Sequence, residues 1–408
     1  MPGERISYFS LYKFYPEAIL GTPTTEVPRL VSNKILLLYP HYWPHYKAGG
    51  PVQSLYNLTG VFRGLAQFYI LSLDKDIDGT RLGKDFVLNR WTVGPQGENI
   101  YFVSDIYPWL INRLIREIKP NAILLNGIFN ANTTIPGLLI GRFRGIKTVL
   151  SPRGMLQGWA LRRGKTKKSI FLFLLKLFLR KNERWHATTT QEKTEIQTFF
   201  GSKQKVFIAS NVPRSVTEFS PVPYPDQHHK IKLVFLSLIN SNKNLHMVIN
   251  KLAAFRDKIT LDIYGPVIDA DYWIQCQRSI KGNNGVVYKG PVPPWEVPDI
   301  LKSYHFFILP TQGENFGHAI FDALASGIPV IVSRLTPWQD LETKGAGFYI
   351  NLEDTESMHR IFDSLTQIVE TAYNRMRENS ILYAREYWES KNYQKEYSFL
   401  LEMLKRNE

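Results

Sequence analysis

The sequence of 408 residues contains one cysteine, Cys276, and no apolar run long enough to span a membrane. A single cysteine excludes an intrachain disulfide and favours a reducing compartment. The longest apolar candidate, residues 170–179, includes Lys176 and falls well short of the roughly 20 residues that a transmembrane helix needs. The N-terminus lacks the apolar core of a signal peptide. We therefore predict a cytoplasmic protein that does not span a membrane.

Acidic residues are also scarce relative to basic ones. There are 36 acidic and 50 basic residues, which give a formal net charge of +14 and predict anionic partners. Ten basic residues lie between Ser151 and Trp185, where Glu183 is the only acid. No aromatic–basic motif typical of nucleic-acid binding accompanies them, so we predict no nucleic-acid partner.

The basic region Lys165–Arg184 contains a predicted helix, residues 169–182, whose apolar residues lie on almost every side. Two interpretations of this helix are open. It is either buried in the protein core or lies in a membrane interface, where the flanking cations attract anionic lipid. In the second case the protein binds peripherally to the inner face of the plasma membrane.

Short apolar runs alternate with helical segments along most of the chain, which predicts two doubly wound parallel sheets. The first series starts with a strand at residues 33–39, and the second starts at Ile231. A proline-rich linker, 216–230, separates them. We predict an α/β protein with an N-terminal domain over 1–215, whose residues 1–32 form an extension, a C-terminal domain over 231–385, and a last helix over 386–408.

One stretch of the second series combines a buried strand, residues 305–309, with a loop and a short helix, residues 317–326. The loop lies at the carboxyl end of the strand, and the helix directs free N–H groups towards the same place. The loop carries Glu314, and Asp322 follows eight residues later. Main-chain donors suit a phosphate and carboxylates accept hydrogen bonds from hydroxyls, so the combination indicates a nucleotide sugar.

The stretch from Glu314 to Asp322 resembles the donor-site signature of glycosyltransferase family 4. The segment from Ser151 to Leu161 is similar to a segment of bacterial members of that family. The resemblance implies the GT-B fold, in which two Rossmann-like domains face each other across a cleft and the last helix packs back on the N-terminal domain. It further implies metal-independent transfer of a sugar, with retention of anomeric configuration, from a nucleotide-sugar donor to a saccharide or lipid-linked acceptor in polysaccharide or glycolipid synthesis. No cofactor is expected.

The resemblance also assigns roles to residues. Glu314 would contact the transferred sugar, Lys243 the diphosphate and Asp322 the ribose, while Arg153 would meet a phosphate or the acceptor unless it forms a scaffold salt bridge. The family's second phosphate-binding cation, an arginine, is replaced by Leu238, and Arg153 or Arg334 is a candidate substitute. The catalytic candidates are Glu314, Lys243 and Arg153. The donor-binding candidates are Gly49, Gly50, Ser237, Gly265, Val292, Asn315, Phe316, Gly317 and Asp322.

Other functions are open at this point. A sugar-nucleotide epimerase of the same fold would use the donor site without an acceptor, and a non-catalytic lipid-surface or assembly protein would tolerate Leu238. The residues from Asp74 to Gly79 resemble the start of a calcium loop, but Leu82 and Asp85 occupy its ninth and twelfth positions, where ligands are expected. We interpret this segment as a solvated turn and predict no metal site.

Overall fold

The structure, a computed structural model, describes residues 33–162, 164–180, 182–215 and 230–404. These residues form two compact units, with boundaries between Val212 and Pro213 and between Lys391 and Asn392. The first unit therefore contains the main N-terminal segment together with the end of the chain. The predicted extension, 1–32, and nearly all of the predicted linker lie outside the described residues.

The first unit is built on an eight-stranded sheet with strand order β3-β4-β2-β1-β5-β6-β7-β8. Every pairing is parallel except that between β3 and β4, and the short strand β3 was missed by the sequence analysis. The strands are β1 (Lys34–Leu38), β2 (Gln67–Leu73), β3 (Trp91–Val93), β4 (Asn99–Val103), β5 (Ala122–Asn126), β6 (Lys147–Ser151), β7 (Arg184–Ala187) and β8 (Lys205–Ile208).

Helices connect these strands, and two short helices from the end of the chain join the same unit. Tyr397 donates a hydrogen bond from its hydroxyl to the Ser210 carbonyl at 3.0 Å, and Phe399 stacks on Phe207 with ring centroids 4.8 Å apart. The helices are α1 (Gly50–Val61), α2 (Pro108–Ile118), α3 (Ala131–Phe143), α4 (Gly158–Arg162), α5 (Lys165–Phe178) and α6 (Thr190–Phe200), and at the chain end α13 (Tyr393–Glu396) and α14 (Ser398–Leu404).

The second unit contains a six-stranded, wholly parallel sheet with order β11-β10-β9-β12-β13-β14. Its strands are β9 (Ile231–Leu236), β10 (Ile259–Tyr264), β11 (Val286–Gly290), β12 (Phe306–Leu309), β13 (Val330–Ser333) and β14 (Gly347–Ile350). Its helices are α7 (Leu245–Leu252), α8 (Ala270–Ile280), α9 (Val297–Leu301), α10 (His318–Ala325), α11 (Ser357–Thr366) and α12 (Glu370–Glu389).

Apolar runs explain why the central strands of the second unit are buried. All four residues of β12 and all four of β13 are buried, as expected for strands of a parallel sheet covered on both faces.

Helix α8 contributes Cys276, which is fully buried. Burial raises the pKa of the Cys276 thiol to about 11.

Helix α5 is only partly buried, so the interpretation of this segment as a core helix is wrong. Leu172 and Leu175 are buried against the unit. A stripe with helical spacing faces outwards instead, and its exposed fractions are 57% for Ile170, 64% for Phe173, 42% for Leu174 and 66% for Leu177. No helix in the described ranges is both long and apolar enough to cross a membrane.

His305, at the start of β12, accepts a hydrogen bond on its Nδ1 from the Lys232 backbone N–H at 2.8 Å. Nδ1 therefore carries no proton, and the ring is neutral. Burial, reinforced by the nearby charges of Lys232 and Arg377, lowers the pKa of His305 to about 4. In the unfolded chain a histidine ring is protonated below about pH 6.5, whereas in the folded protein His305 is protonated only below about pH 4. Stability supplied by the neutral ring is thus present at neutral pH and is lost as the pH falls below the unfolded value.

We expect the free energy of unfolding of the second unit to fall by about 2 kcal/mol from this histidine alone between about pH 7 and about pH 5. In His305→Asn the amide oxygen can still accept from Lys232, but it does not titrate. Urea unfolding at the two pH values should therefore show a smaller pH dependence for the variant than for the wild type. Equal dependence in both proteins would contradict the assignment.

Candidate functional site

The carboxyl edge of the second sheet brings three neighbouring strand ends into close contact. Ser237 donates its backbone N–H to the Tyr264 carbonyl at 3.1 Å, and Gly265 donates to the Gly290 carbonyl at 2.9 Å. Gly265 has a φ of 140°, and a Cβ at this position would lie 1.8 Å from the Ser237 carbonyl oxygen. Only glycine allows this approach, so the predicted residues Ser237 and Gly265 do lie side by side.

The loop after β12 is fixed by polar side chains that the sequence analysis did not single out. Thr311 donates from its hydroxyl to the Gly313 carbonyl at 2.9 Å, and Asn242 donates from its amide to the same carbonyl at 3.2 Å. The Glu314 backbone N–H reaches the Leu335 carbonyl at 3.2 Å. The position of Glu314 is therefore determined by contacts on both sides of the loop.

Lys243 and Glu314 form an ion pair at this edge. Lys243 ends a short 3-10 helix, Ser241–Lys243, which begins where the Asn240 side chain accepts the Asn242 N–H at 3.1 Å. The two side chains are only 8% and 15% exposed, respectively. The structure thus joins two predicted catalytic residues that are 71 positions apart in the sequence.

Burial of Phe316 fixes the turn that leads into α10. The Phe316 ring lies 5.2 Å from the Trp338 ring, and the Trp338 indole N–H donates to the Phe316 carbonyl at 2.6 Å. Gly317 adopts a left-handed conformation with φ 79°, where a Cβ would meet Ile320 at 2.8 Å. The Phe316 side chain therefore serves packing, and its main chain rather than its ring is available to a ligand. Asn315 precedes Phe316 in this turn. Val292, near the start of the loop after β11, is partly buried.

Asp322, the predicted ribose-binding residue, is held in an ion pair. Its Oδ1 lies 2.8 Å from Nη2 of Arg214, and the carboxylate side chain is only 4% exposed. Arg214 also donates from Nη1 to the Pro294 carbonyl at 3.3 Å. The sequence analysis missed Arg214, because it lies beside a proline-rich segment with no periodicity or motif to mark it.

In the first unit, the predicted glycine loop precedes α1, with Gly49 at φ 77° and Gly50 as the first helical residue. The loop is anchored by Asp76, whose carboxylate accepts the backbone N–H groups of Tyr46 and Lys47, each at 3.0 Å. Asp76 is 6% exposed, so this acid is not solvated as predicted, although residues 77–79 of the same turn are exposed. No group of three or more His, Cys, Asp or Glu side chains in the described ranges could hold a metal ion.

Arg153 is buried in the first unit and adopts a left-handed conformation with φ 55°. It donates from Nε to the Asn126 side-chain oxygen at 2.7 Å and from Nη1 to that of Asn211 at 2.8 Å. The partners are amides rather than the carboxylate of a scaffold salt bridge. Glu192, fully buried, instead accepts the next backbone N–H, that of Gly154, at 2.5 Å.

The candidate site residues therefore fall into two groups. Lys243, Glu314, Asp322 and the strand-end residues belong to the second unit, where the structure places several of them in direct contact. Gly49, Gly50 and Arg153 belong to the first unit. The sequence-based roles of all these residues stay predictions.

The match to a protein family lies in the second unit. Residues 230–367 match the family model Glycosyl transferases group 1. This range lies wholly within the second unit and includes both members of the Lys243–Glu314 pair. An uncharacterized 41.2 kDa protein in the cps region of Klebsiella pneumoniae is 27% identical over 142 residues, which are 34% of this chain and 38% of that protein. The chain thus matches well under half the length of this relative.

Solved structures resemble the whole fold. Sucrose-phosphate synthase from Thermosynechococcus elongatus is 13% identical, with a TM-score of 0.69 over 91% of this chain and 97% of that one. The Anabaena protein HepE, in complex with UDP and glucose, is 14% identical, with a TM-score of 0.68 over 91% of this chain and 99% of that one. Identities this low show the fold alone. They confirm the predicted α/β class of two parallel-sheet domains, and with the family match they support a GT-B glycosyltransferase.

The contact between Gly265 and Ser237 generates a prediction. Gly265→Ala should lower the free energy of unfolding by about 1–3 kcal/mol beyond the usual cost of alanine at positive φ, because the added carbon meets a backbone oxygen. Gly282→Ala is the matched control, since Gly282 has a φ of 90° but no heavy atom within 4 Å of its Cβ position. Urea unfolding of both variants measures the difference, and equal losses would refute the packing argument.

Proposed function

We propose that this protein is a metal-independent, retaining glycosyltransferase of family 4 type, which transfers a hexosyl group from a nucleotide sugar to a hydroxyl of a saccharide or lipid-linked acceptor. The ion pair between Lys243 and Glu314, set beside the start of α10 at the carboxyl edge of a parallel sheet, is the observation that carries this proposal. Ligands of open parallel sheets bind at this edge. The family match over 230–367 and the fold shared with UDP-binding HepE support the same function.

The chemical task is to break the bond between the anomeric carbon and a phosphate oxygen while a bond to the acceptor oxygen forms on the same face of the sugar. Negative charge accumulates on the departing diphosphate. N–H groups of residues 315–317 and the Lys243 ammonium group would stabilise that charge, because they are fixed before the reaction begins. The departing phosphate oxygen would take the acceptor's proton, so no protein base is required.

Glu314 has two tasks in this proposal. Its carboxylate orients the transferred sugar by accepting hydrogen bonds from sugar hydroxyls, and it holds Lys243 in place through the ion pair. Charge-assisted hydrogen bonds of this kind are each worth about 1.5–3 kcal/mol. Removing either group should therefore reduce donor use.

We expect Lys243→Ala and Glu314→Gln each to lower kcat/KM for the donor by about 10- to 100-fold. Lys251→Ala is a matched control, because Lys251 forms another lysine–glutamate pair in the same unit, with Glu356 at 3.2 Å, and that pair is exposed. UDP-glucose, ADP-glucose and GDP-mannose are screened by thermal stabilisation, and the best donor is then assayed with saccharide acceptors. Full activity in both site variants would contradict the site, and interconversion of donor without acceptor would indicate an epimerase.

The outward face of α5 supports peripheral binding to an anionic membrane at the cytoplasmic side, where a lipid-linked acceptor would be presented. Ile170, Phe173, Leu174 and Leu177 form its exposed apolar stripe. Exposed cations of the same helix, Lys165, Lys167 and Lys176, accompany the stripe. Glu183, the nearest acid in the sequence, is itself paired with Arg142. Apolar side chains beside exposed cations suit the boundary between acyl chains and anionic headgroups. The cps-region relative is consistent with a role in polysaccharide synthesis.

Phe173→Asp combined with Leu177→Asp should abolish most binding to vesicles that contain phosphatidylglycerol, because charged groups would replace the apolar contact and reduce the local positive charge. Ile274→Asp, on α8 of the second unit and 47% exposed, controls for loss of an exposed apolar residue. Co-sedimentation with anionic and with neutral vesicles measures the effect. Unchanged sedimentation of the double variant would remove the membrane from the proposal.

A further inference from the structure

Arg214 is fixed at the carboxyl edge of the second sheet by two contacts to different elements. One contact is the 2.8 Å ion pair with Asp322 on α10, and the other is the 3.3 Å hydrogen bond to the Pro294 carbonyl in the loop after β11. The Asp322 side chain is 4% exposed, whereas that of Arg214 is 30% exposed. The acid is thus buried behind the guanidinium group, and the guanidinium group is the part that a ligand can reach.

The two contacts of Arg214 locate it along the proposed nucleotide site. Val292, two residues before Pro294, is a predicted donor-binding residue, and the proposed function places the diphosphate at residues 315–317, just before α10 and Asp322. Arg214 bridges these two places. A nucleotide that contacts both segments would bring its ribose and first phosphate, which lie between the base and the outer phosphate, to Arg214.

The charges at this edge also favour a role for Arg214. A nucleoside diphosphate brings at least two negative charges, and Lys243 is already paired with Glu314. Arg334, suggested as a substitute for the cation missing at Leu238, pairs with Glu342 at 3.1 Å and lies 4.2 Å from the Tyr349 ring centroid. Arg214 has several N–H donors in a planar fork, which suits one contact to a carboxylate and another to a phosphate.

We propose that Arg214 binds the ribose and first phosphate of the nucleotide donor, and that Asp322 is a positioning residue that holds the guanidinium group. The inference rests on the proposed donor site and names a binding residue within it. Asp322 has a shorter side chain than glutamate, so the Arg214 guanidinium group extends the reach of the carboxylate towards the nucleotide. Arg214 thereby supplies the second phosphate-binding cation, which is missing because Leu238 stands where the family has an arginine.

The test measures dissociation constants of UDP, ADP, GDP and dTDP, and of the matching nucleosides, by calorimetry with the full chain. Arg214→Ala should weaken binding of the preferred nucleoside diphosphate by about 10- to 100-fold and affect the nucleoside less, because a phosphate contact is lost. Arg214→Lys should lie between, since lysine keeps the charge but not the fork. Arg256→Ala is the control, because Arg256 is 66% exposed and lies near the amino edge of the same sheet, away from the candidate site. This variant should bind as the wild type does.

Removing Arg214 alone leaves a buried carboxylate without its cation, which could destabilise the unit. Arg214→Ala combined with Asp322→Asn removes both charges, and it should regain thermal stability while its diphosphate binding stays weak. A double variant that regains tight binding would overturn the proposal, because Arg214 would then matter only for folding. Tighter binding by Arg214→Ala would also overturn it, since the ion pair would be an obstacle to the ligand.

The outcomes separate this inference from the proposed function. If Lys243→Ala weakens diphosphate binding and Arg214→Ala does not, the role of Arg214 is wrong and the donor site stands. If the wild-type protein binds none of the four nucleoside diphosphates, the proposed function fails and the role of Arg214 fails with it.

Discussion

The candidate site depends on hydrogen bonds that join two loops at the carboxyl edge of the second sheet. Gln312 donates its backbone N–H to the Asn242 carbonyl at 2.8 Å, and the Asn242 amide returns a hydrogen bond to Gly313 at 3.2 Å. Each loop satisfies polar groups that the other would leave unpaired. Lys243 is the residue after Asn242, and Glu314 is the residue after Gly313. The contacts between the two loops therefore bring the two side chains together in their ion pair. A site fixed in this way needs little reorganisation to bind an anion.

Buried carboxylates have a similar task in the first unit. Asp76 accepts two N–H groups of the segment before Gly49, and Glu192 accepts those of Gly154 and Thr188 at 2.5 and 2.7 Å. Each acid is therefore satisfied by main-chain donors of a loop that no regular hydrogen-bond ladder holds. The turn that contains Arg153 and the glycine loop before α1 both owe their positions to an acid distant in sequence.

The sequence predicted those features that depend on local pattern. The apolar residues of β12 and β13 and the helix that separates them have clear periodicities, and the loop with Glu314 follows from them. Helix α5 is different, because apolar residues on nearly every side carry no information about which side is covered. Asp76 was misread because an acid in a turn gives the same pattern whether it faces water or backbone N–H groups. Arg214 could not be found, since its partners are brought to it only by folding.

The burial of Cys276 has a practical consequence for work in solution. The thiol is fully buried and its pKa is raised to about 11, so at neutral pH it is both protonated and shielded from reagents. Because the sequence contains no other cysteine, a thiol introduced on the surface would be the principal target of a maleimide dye. The natural chain therefore has the low thiol reactivity that site-specific fluorescence or spin labelling requires, without removal of Cys276.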